Sequence, residues 1–391
     1  MALRFSPQTA RRKRPCPTTQ RVPDGVSRAV EWRRSFAHIM DKPVSPNALP
    51  QRWRLAARAV MIAFDHWGGV RRIATPLREV ASIPLAFLFR AVVSTPALRG
   101  LLASGIERLA NIQISSLDKF FRKSFRESTQ ALPTGVTEAL LSLWSAAAAR
   151  SPERAVASVL PVVASMNEGI VVNFEGLLHV ASDPTVENVR HLMERKTVVL
   201  RAGERAILPY YRSLINLDRA AKGEPLLPPQ AFSIFGTAIS ELKRRGIDKT
   251  LFDPRIRLIR NASAHDGVRV DHATASLELH DGRGAPISFS LDEFVRVFFG
   301  QTAIAACGAG AIWIGAAFHW VTRNAGLVDS LRSEVKVLST ALRTGDASGL
   351  TALERRGESF VQRIREELGD DELRALVEHL RAYQQRKRDA M

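Results

Sequence analysis

The stretch Arg257-Leu258-Ile259-Arg260-Asn261-Ala262-Ser263-Ala264-His265-Asp266-Gly267 combines a helical apolar pattern with a cluster of polar groups at its end. Apolar residues at 256, 258, 259 and 262 can bury one side of a helix. Asp253-Pro254 offers a cap and a first position for a helix over 255–266. Asn261 and His265 share a face of that helix, and His265 falls in its last turn, where the helix dipole favours a cation. We therefore predict a helix that presents Arg260, Asn261 and His265.

These three side chains suit the cleavage of RNA. A guanidinium can hold a phosphodiester, while an imidazole can move protons to or from the 2′-hydroxyl and the leaving oxygen. Arg260 and His265 are five positions apart, about 140° around an ideal helix and about 7.5 Å along it. Only a long Arg arm or a second copy of the helix would let both groups meet at one phosphate. The alternative is structural: Arg260 pairs with Glu241 or Asp253, and His265 caps its helix.

The period of the apolar pattern changes after Gly267. Residues 268–270, 275–279 and 286–289 alternate, and Asp281-Gly282-Arg283-Gly284 separates the last two, which predicts a β-hairpin. Ser290, with Glu293 three positions later, predicts a capping box at the start of the next helix.

Between Arg296 and Arg323 lie 26 consecutive uncharged residues, long enough to cross a membrane. Many of them are Gly and Ala, which allow close helix–helix contact, and a capped amphipathic turn leads into the segment. We predict a helix buried in a helical domain over 297–322, with a transmembrane helix as the alternative.

The run Arg260-Asn261-x-x-x-His265 resembles the Arg-x4-His motif of the HEPN superfamily (higher eukaryotes and prokaryotes nucleotide-binding). A helix ending in Arg-Asn-Ala-x-Ala-His, then a short hairpin and a long helix, is similar to HEPN proteins of the prokaryotic abortive-infection type. The similarity covers roughly residues 185–322. It implies a helical bundle that dimerises so that two motifs face each other in one cleft.

The resemblance also implies function. Catalytic HEPN proteins are metal-independent endoribonucleases, so we expect no cofactor and no metal. Arg260 would contact the phosphate, His265 would be the general acid or base, and Asn261 would orient them by hydrogen bonding. A role as a toxin or anti-phage effector, with an antitoxin or defence-system protein as partner, is implied in the same way.

The fold class predicted for the whole chain is mainly α: a HEPN-like helical bundle with a short β-hairpin after the motif helix, and further helical regions at both ends. The patterns predict a disordered basic arm over 1–29, a basic helical region over 30–150, a HEPN-like domain over 151–325 and an amphipathic helical tail over 326–391. Within them, Ser151-Pro152 predicts a helix start, 185–219 a long helix that Pro209 breaks or kinks, and 232–245 a helix closed by Gly246. The tail stripe Leu331, Val335, Leu338 and Leu342 predicts either intramolecular packing or a short coiled coil.

The positive charge is concentrated in the first part of the chain. Residues 1–150 hold 24 Lys/Arg against 9 Asp/Glu, whereas residues 151–391 hold 32 against 30. Such a concentration favours RNA or another polyanion as partner. The candidate RNA- or anion-binding residues are Arg11, Arg12, Lys13, Arg14, Arg122, Lys123 and Arg257.

Composition excludes several other classes. With 391 residues, 46% of them hydrophobic, the chain is neither disordered as a whole nor collagen-like. Its two cysteines, Cys16 and Cys307, exclude a disulfide framework and fit a reducing cytoplasm, where we expect the protein, and no signal peptide is evident. The alternative function is a non-catalytic effector or scaffold that binds a membrane or nucleic acid through the basic region and the uncharged helix.

Two metal-dependent alternatives use the same histidine. His265-Asp266 matches the dipeptide of HD phosphohydrolases, which would recruit His179, His191 and Asp271. A zinc or iron site could instead draw on His265, Asp271, His272, His280 and Asp281, although such residues at hairpin ends are usually solvated.

Overall fold

The computed structural model describes residues 96–345, with gaps at 134, 167–168, 171–173, 183–184, 229–230, 275, 281–284 and 325–326. It also describes a few residues between 58 and 67 and between 366 and 378. The predicted basic arm, with Arg11, Arg12, Lys13 and Arg14, lies outside these residues. The chain divides into compact units Met1–Leu49 and Pro50–Met391. The second unit contains every described residue. The domain boundaries predicted at 150 and 325 both fall inside it.

The described residues are mainly helical with one small sheet, which confirms the prediction of a mainly α fold. The first helices are α1 (Pro96–Ala131), α2 (Val136–Arg150), α3 (Pro152–Met166), α4 (Phe174–Ser182), α5 (Val186–Glu194), α6 (Lys196–Ala202), α7 (Leu208–Lys222), α8 (Phe235–Arg244) and α9 (Ile256–Ala264). A 3₁₀ turn spans Lys249–Leu251. The strands are β1 (Val268–Asp271), β2 (Ser276–Leu279) and β3 (Ile287–Ser290), followed by α10 (Leu291–Phe294), α11 (Gly300–Ala303), α12 (Gly315–Asn324) and α13 (Leu327–Thr344).

Side-chain caps begin several helices where the sequence places them. The Ser151 hydroxyl accepts the backbone N–H of Arg154 at 3.3 Å, as its position before Pro152 predicts. Ser290 and Glu293 form the predicted capping box at the start of α10. These contacts satisfy backbone donors that the first helical turn leaves without partners.

The helix predicted over 185–219 differs from the observed one at two points. It is interrupted at Arg195, whose ψ of 64° separates α5 from α6. Pro209 does not break the helix, since a π-helical segment, Gly203–Ile207, joins α6 directly to α7. A proline ring needs room near the carbonyl four residues before it, and the wider π turn provides that room.

The three strands form an antiparallel sheet in the order β1-β2-β3. Val268 pairs with Leu279, and Leu277 pairs with Phe289, in a register that follows the predicted alternation. The β2 side chains Leu277 and Leu279 are buried, and β2 lies against α5 and α9. The sheet therefore covers the end of the motif helix α9.

The uncharged segment forms the centre of the helical core. It belongs to a continuous helical run over 291–324, which we call the apolar helix, in which π-helical segments Val295–Phe299 and Ile304–Ile314 alternate with α10, α11 and α12. Among the described residues, one helix, Leu291–Trp320, is long and apolar enough to cross a membrane, and 89% of its most apolar window is buried inside the protein. The Trp313 indole N–H donates to the Leu140 carbonyl of α2 at 3.1 Å.

Glycine lets the neighbouring helices approach the apolar helix closely. A Cβ on Gly308 would lie 2.8 Å from Leu140 Cδ1, and one on Gly310 would lie 2.6 Å from the Trp67 ring. Any larger residue at either position would force these side chains apart. The small residues that the sequence shows in this segment thus serve packing within the protein.

Two tyrosines of α7 connect the apolar helix to the residues just before the motif helix. The Tyr211 hydroxyl contacts Gln301 Oε1 at 2.6 Å and the Asp253 carbonyl at 3.4 Å. The Tyr210 hydroxyl donates to the Leu251 carbonyl at 3.1 Å, and its ring stacks on Trp313. Because both rings are fully buried, desolvation raises the pKa of Tyr210 and Tyr211 well above the usual range. Both phenols therefore stay neutral.

The tail helix α13 packs along α1. Leu342 of the predicted stripe is buried, Leu338 and Val335 are partly buried, and Arg343 pairs with Glu107 of α1 at 3.0 Å. Intramolecular packing is therefore the role of the stripe in this structure.

The two candidate anion-binding residues on α1 are exposed. Arg122 pairs with Asp118 at 2.9 Å, and Lys123 lies 3.8 Å from Glu127. Pairs of this kind at a spacing of four are weak in water, so both cations are able to exchange partners.

Candidate active site

The start of the motif helix α9 is fixed by Asp253. Its carboxylate accepts the backbone N–H of Arg255 at 2.9 Å and binds the Arg255 guanidinium at 2.7 Å. One face of α9 is buried, and the Ser263 hydroxyl on that face donates to the Met193 carbonyl of α5 at 2.9 Å. The buried residues are Ile256, Ile259, Ala262 and Ser263. The face that carries Arg260 and Asn261 is therefore turned away from the core.

The end of α9 leaves His265 exposed. The backbone N–H of His265 donates to the Asn261 carbonyl at 3.0 Å, and that of Gly267 donates to the Ala262 carbonyl at 2.8 Å, as in a Schellman motif. The left-handed position of this motif is occupied by Asp266, with a φ of 54°, rather than by glycine. The helix was expected to reach residue 266 and instead ends at Ala264, since the left-handed residue closes it.

Two long-range contacts hold the turn after His265. The Lys196 ammonium lies 2.6 Å from an Asp266 carboxylate oxygen. The backbone N–H of His280 donates to the Gly267 carbonyl at 2.7 Å. A Cβ on Gly267 would lie 2.1 Å from the His280 carbonyl oxygen, so only glycine fits between α9 and the sheet. His265 is thus carried by a turn that is anchored on both sides.

The Arg260 guanidinium contacts two oxygen acceptors. Its Nη2 lies 2.5 Å from Glu204 Oε1, and its Nη1 lies 3.2 Å from Asn261 Oδ1. Its Nε is buried and has no acceptor among the residues that the structure describes. The side chain is 31% exposed, so a ligand can reach the guanidinium.

Glu204 is the residue of this site that the sequence did not identify. It belongs to the π-helical segment between α6 and α7, next to Gly203. A Cβ on Gly203 would lie 3.5 Å from the Phe235 ring and 3.7 Å from Arg260 Cγ, so the stem of Arg260 passes over this glycine. The only signal in the sequence is a Gly-Glu pair inside a helical pattern, 56 residues before Arg260.

The structure therefore joins some of the predicted site residues and not others. Arg260 and Asn261 are hydrogen-bonded, whereas within the described part of the chain the His265 ring has no hydrogen-bond partner. Arg257 is exposed one turn before Arg260 on α9. Arg260 pairs with neither Glu241 nor Asp253, the partners considered from the sequence. Glu241 forms ion pairs with Arg244 and Arg245, and Asp253 forms one with Arg255.

The residues considered for a metal site do not form a ligand cluster in the part of the chain that the structure describes. Asp271 caps the turn after β1, where the Thr274 hydroxyl and the Ala273 backbone N–H lower the pKa of its carboxyl group. The exposed His272 ring lies 3.7 Å from Glu187 of α5. Within the described ranges, no three His, Cys, Asp or Glu side chains are grouped as metal ligands. Asp281 lies outside those ranges.

Comparison of the chain with protein-family models, with curated proteins and with solved structures finds no match.

Proposed function

We propose that this chain is a metal-independent endoribonuclease that acts at Arg260, Asn261 and His265. The observation that carries the proposal is the placing of an accessible guanidinium and an exposed imidazole on the outward side and end of one anchored helix. An arginine and a histidine are sufficient for RNA cleavage by internal transfer, because the nucleophile is the substrate's own 2′-hydroxyl.

The reaction needs a proton removed from the 2′-hydroxyl and a proton given to the 5′-oxygen that leaves. The 2′-oxygen attacks phosphorus, the bond to the 5′-oxygen breaks, and the products are a 2′,3′-cyclic phosphate and a 5′-hydroxyl. His265 serves one of these proton transfers, and the guanidinium of Arg260 stabilises the charge on the phosphoryl oxygens. Two copies of the chain, related by a two-fold axis, supply the second imidazole.

Glu204 and Asn261 orient Arg260 before substrate binds. Each accepts a hydrogen bond from a different terminal nitrogen of the guanidinium, which restricts the rotation of a long side chain. A phosphate that binds Arg260 has to share or replace the Glu204 carboxylate, since that oxygen occupies one of the terminal nitrogens. The Nε is buried, so a phosphate contacts the guanidinium through its terminal nitrogens.

A toxin or anti-phage role in the cytoplasm, with RNA as substrate and an antitoxin or defence-system protein as partner, belongs to this proposal through the HEPN resemblance. The excess of Lys and Arg in residues 1–150 supports an RNA partner, because cationic segments raise the local concentration of polyanions. The exposed Arg122 and Lys123 of α1 belong to this region.

A second candidate function is nucleic-acid binding without cleavage. The Arg260–Glu204 ion pair favours it over cleavage, because a guanidinium already paired with a carboxylate stabilises a reacting phosphate less, whereas binding can depend on the Lys and Arg of residues 1–150. The two candidates differ in whether RNA is cut.

Incubation of the purified chain with total RNA in excess EDTA tests the proposal. We expect fragments that end in a 2′,3′-cyclic phosphate, with the same rate in EDTA as in magnesium, because none of the proposed steps uses a metal. Intact RNA under both conditions, together with a gel shift, would favour the binding function. Cleavage that EDTA abolishes would contradict the proposed chemistry.

A further inference from the structure

A polar cavity lies between α4 and α5. Its volume is about 230 Å³. The polar groups around it come from His179 on α4, from Asn188 and His191 on α5, and from Arg195 just after α5. Val180 and Leu192, both 2% exposed, form an apolar floor.

The sequence places these groups on matching helix faces. On α5, Asn188, His191 and Leu192 are three or four residues apart, which places them on one side of the helix. Arg195 follows directly after the end of α5. The neighbouring positions Glu187, Arg190 and Glu194 are engaged with one another, since Arg190 lies 2.9 Å from Glu187 and 2.7 Å from Glu194. Asn188, His191 and Arg195 line the cavity.

The chemistry of the cavity favours an anion. A guanidinium, two imidazoles and a carboxamide all supply N–H donors, and the described lining contains no carboxylate. The nearest acidic group in contact with a lining ring is Glu194, 3.4 Å from Nδ1 of His191. That contact orients the ring, and Arg195 supplies the cation of the cavity.

The size of the cavity limits the ligand. Pockets for drug-sized molecules usually measure about 300–1,000 Å³, so 230 Å³ suits a smaller group and excludes a folded or double-stranded nucleic acid. A phosphate group would bind the guanidinium and the imidazoles, and a short carbon portion would lie on Val180 and Leu192.

We propose that the cavity between α4 and α5 binds a small phosphate monoester through Arg195, His191, His179 and Asn188. This site is independent of RNA cleavage, because its residues take no part in the proposed reaction at Arg260 and His265. Arg195 immediately precedes Lys196, whose ammonium holds Asp266 beside His265, so this ion pair links the two sites.

Isothermal titration calorimetry of the full chain with inorganic phosphate and with ribose 5-phosphate tests the proposal. We expect saturable binding of one ribose 5-phosphate per chain, tighter than that of inorganic phosphate because the sugar covers the apolar floor. Arg195→Gln and His191→Gln should each weaken this binding about tenfold, since each removes a charge-assisted hydrogen bond. Both side chains are exposed, so the variants should fold.

The control is Arg201→Gln, which removes an exposed arginine of α6 that does not line the cavity and should bind ribose 5-phosphate like the unchanged chain. His265→Ala should also bind it normally, which separates this site from the proposed nuclease site. The proposal is overturned if neither ligand gives saturable binding up to about 10 mM. It is also overturned if Arg195→Gln and His191→Gln bind as tightly as the control.

Discussion

His265→Ala should slow RNA cleavage by about 10²–10⁴-fold, the usual effect of losing a general acid or base. The imidazole is exposed, and the hydrogen bond that caps α9 comes from the backbone N–H of His265, so the substitution leaves the helix end in place. The initial rate of cleavage of a short fluorescent RNA measures the effect. A thermal melt by circular dichroism should show an unchanged fold.

Arg260→Ala should reduce cleavage to a similar extent, because the phosphate loses its cation and Glu204 is left without its partner. His272→Ala and Arg269→Ala are matched controls, since both residues are exposed and lie in the neighbouring β1 hairpin. Both controls should cleave at the unchanged rate. A fully active His265→Ala or Arg260→Ala protein would show that the motif is structural.

Arg245→Ala should lower the free energy of unfolding by about 3–5 kcal/mol, the cost of removing one partner from a buried ion pair. The Arg245 side chain is only 4% exposed and lies 2.6 Å from Asp218, 2.6 Å from Glu224 and 2.7 Å from Glu241. These carboxylates come from α7, from the segment after it and from α8. Without the guanidinium, the three carboxylates would keep only the more exposed cations Lys222, Arg219 and Arg244. Urea denaturation followed by circular dichroism measures the loss.

The adjacent Arg244 provides the control. Its side chain is 67% exposed and contacts Glu241 of the same helix, so Arg244→Ala should cost less than about 1 kcal/mol. Equal stabilities of Arg244→Ala and Arg245→Ala would show that the buried cluster contributes nothing beyond a surface ion pair.

Stability at low pH should depend on the same cluster of charges around Arg245. Hydrogen bonds from Arg244 and then Arg245 lower the pKa of Glu241 from 4.5 to about 2. A carboxyl group whose pKa is lowered by folding stabilises the protein above its ordinary pKa, and this contribution is lost as the pH falls from 4.5 towards 2. The fall in stability over that range should be smaller for Arg245→Ala than for the unchanged chain. Equal falls would contradict the assignment.

Local signals in the sequence predicted much of the fold. The helix starts at Ser151 and Ser290, the strands after Gly267 and the buried face of α9 depend on residues within one or two turns, and the structure confirms them. The effect of Pro209 was not predictable in this way, because it depends on a π-helical segment that propensity does not indicate. Whether the apolar helix faces lipid or protein depends on Leu140 and Trp67, more than 170 residues away in sequence.

The candidate site was predictable in part. Asn261 and His265 are four positions apart, so their spacing indicated a shared face at the end of the helix, and Arg260 directly precedes Asn261. Glu204 was missed because its contact with Arg260 arises only when the side chain of Arg260 passes over Gly203 of the π-helical segment. The left-handed conformation of Asp266 was not predictable either, because Gly267 was expected to end the helix. Gly267 is needed instead for its close contact with His280.

Cleavage of a synthetic RNA that carries one 2′-deoxy nucleotide tests the central claim most directly. If the 2′-hydroxyl is the nucleophile, the bond on the 3′ side of that nucleotide should stay intact while the other sites are cut at their usual rates. Cutting at the 2′-deoxy position as fast as in the all-ribose RNA would contradict the mechanism assigned to Arg260 and His265.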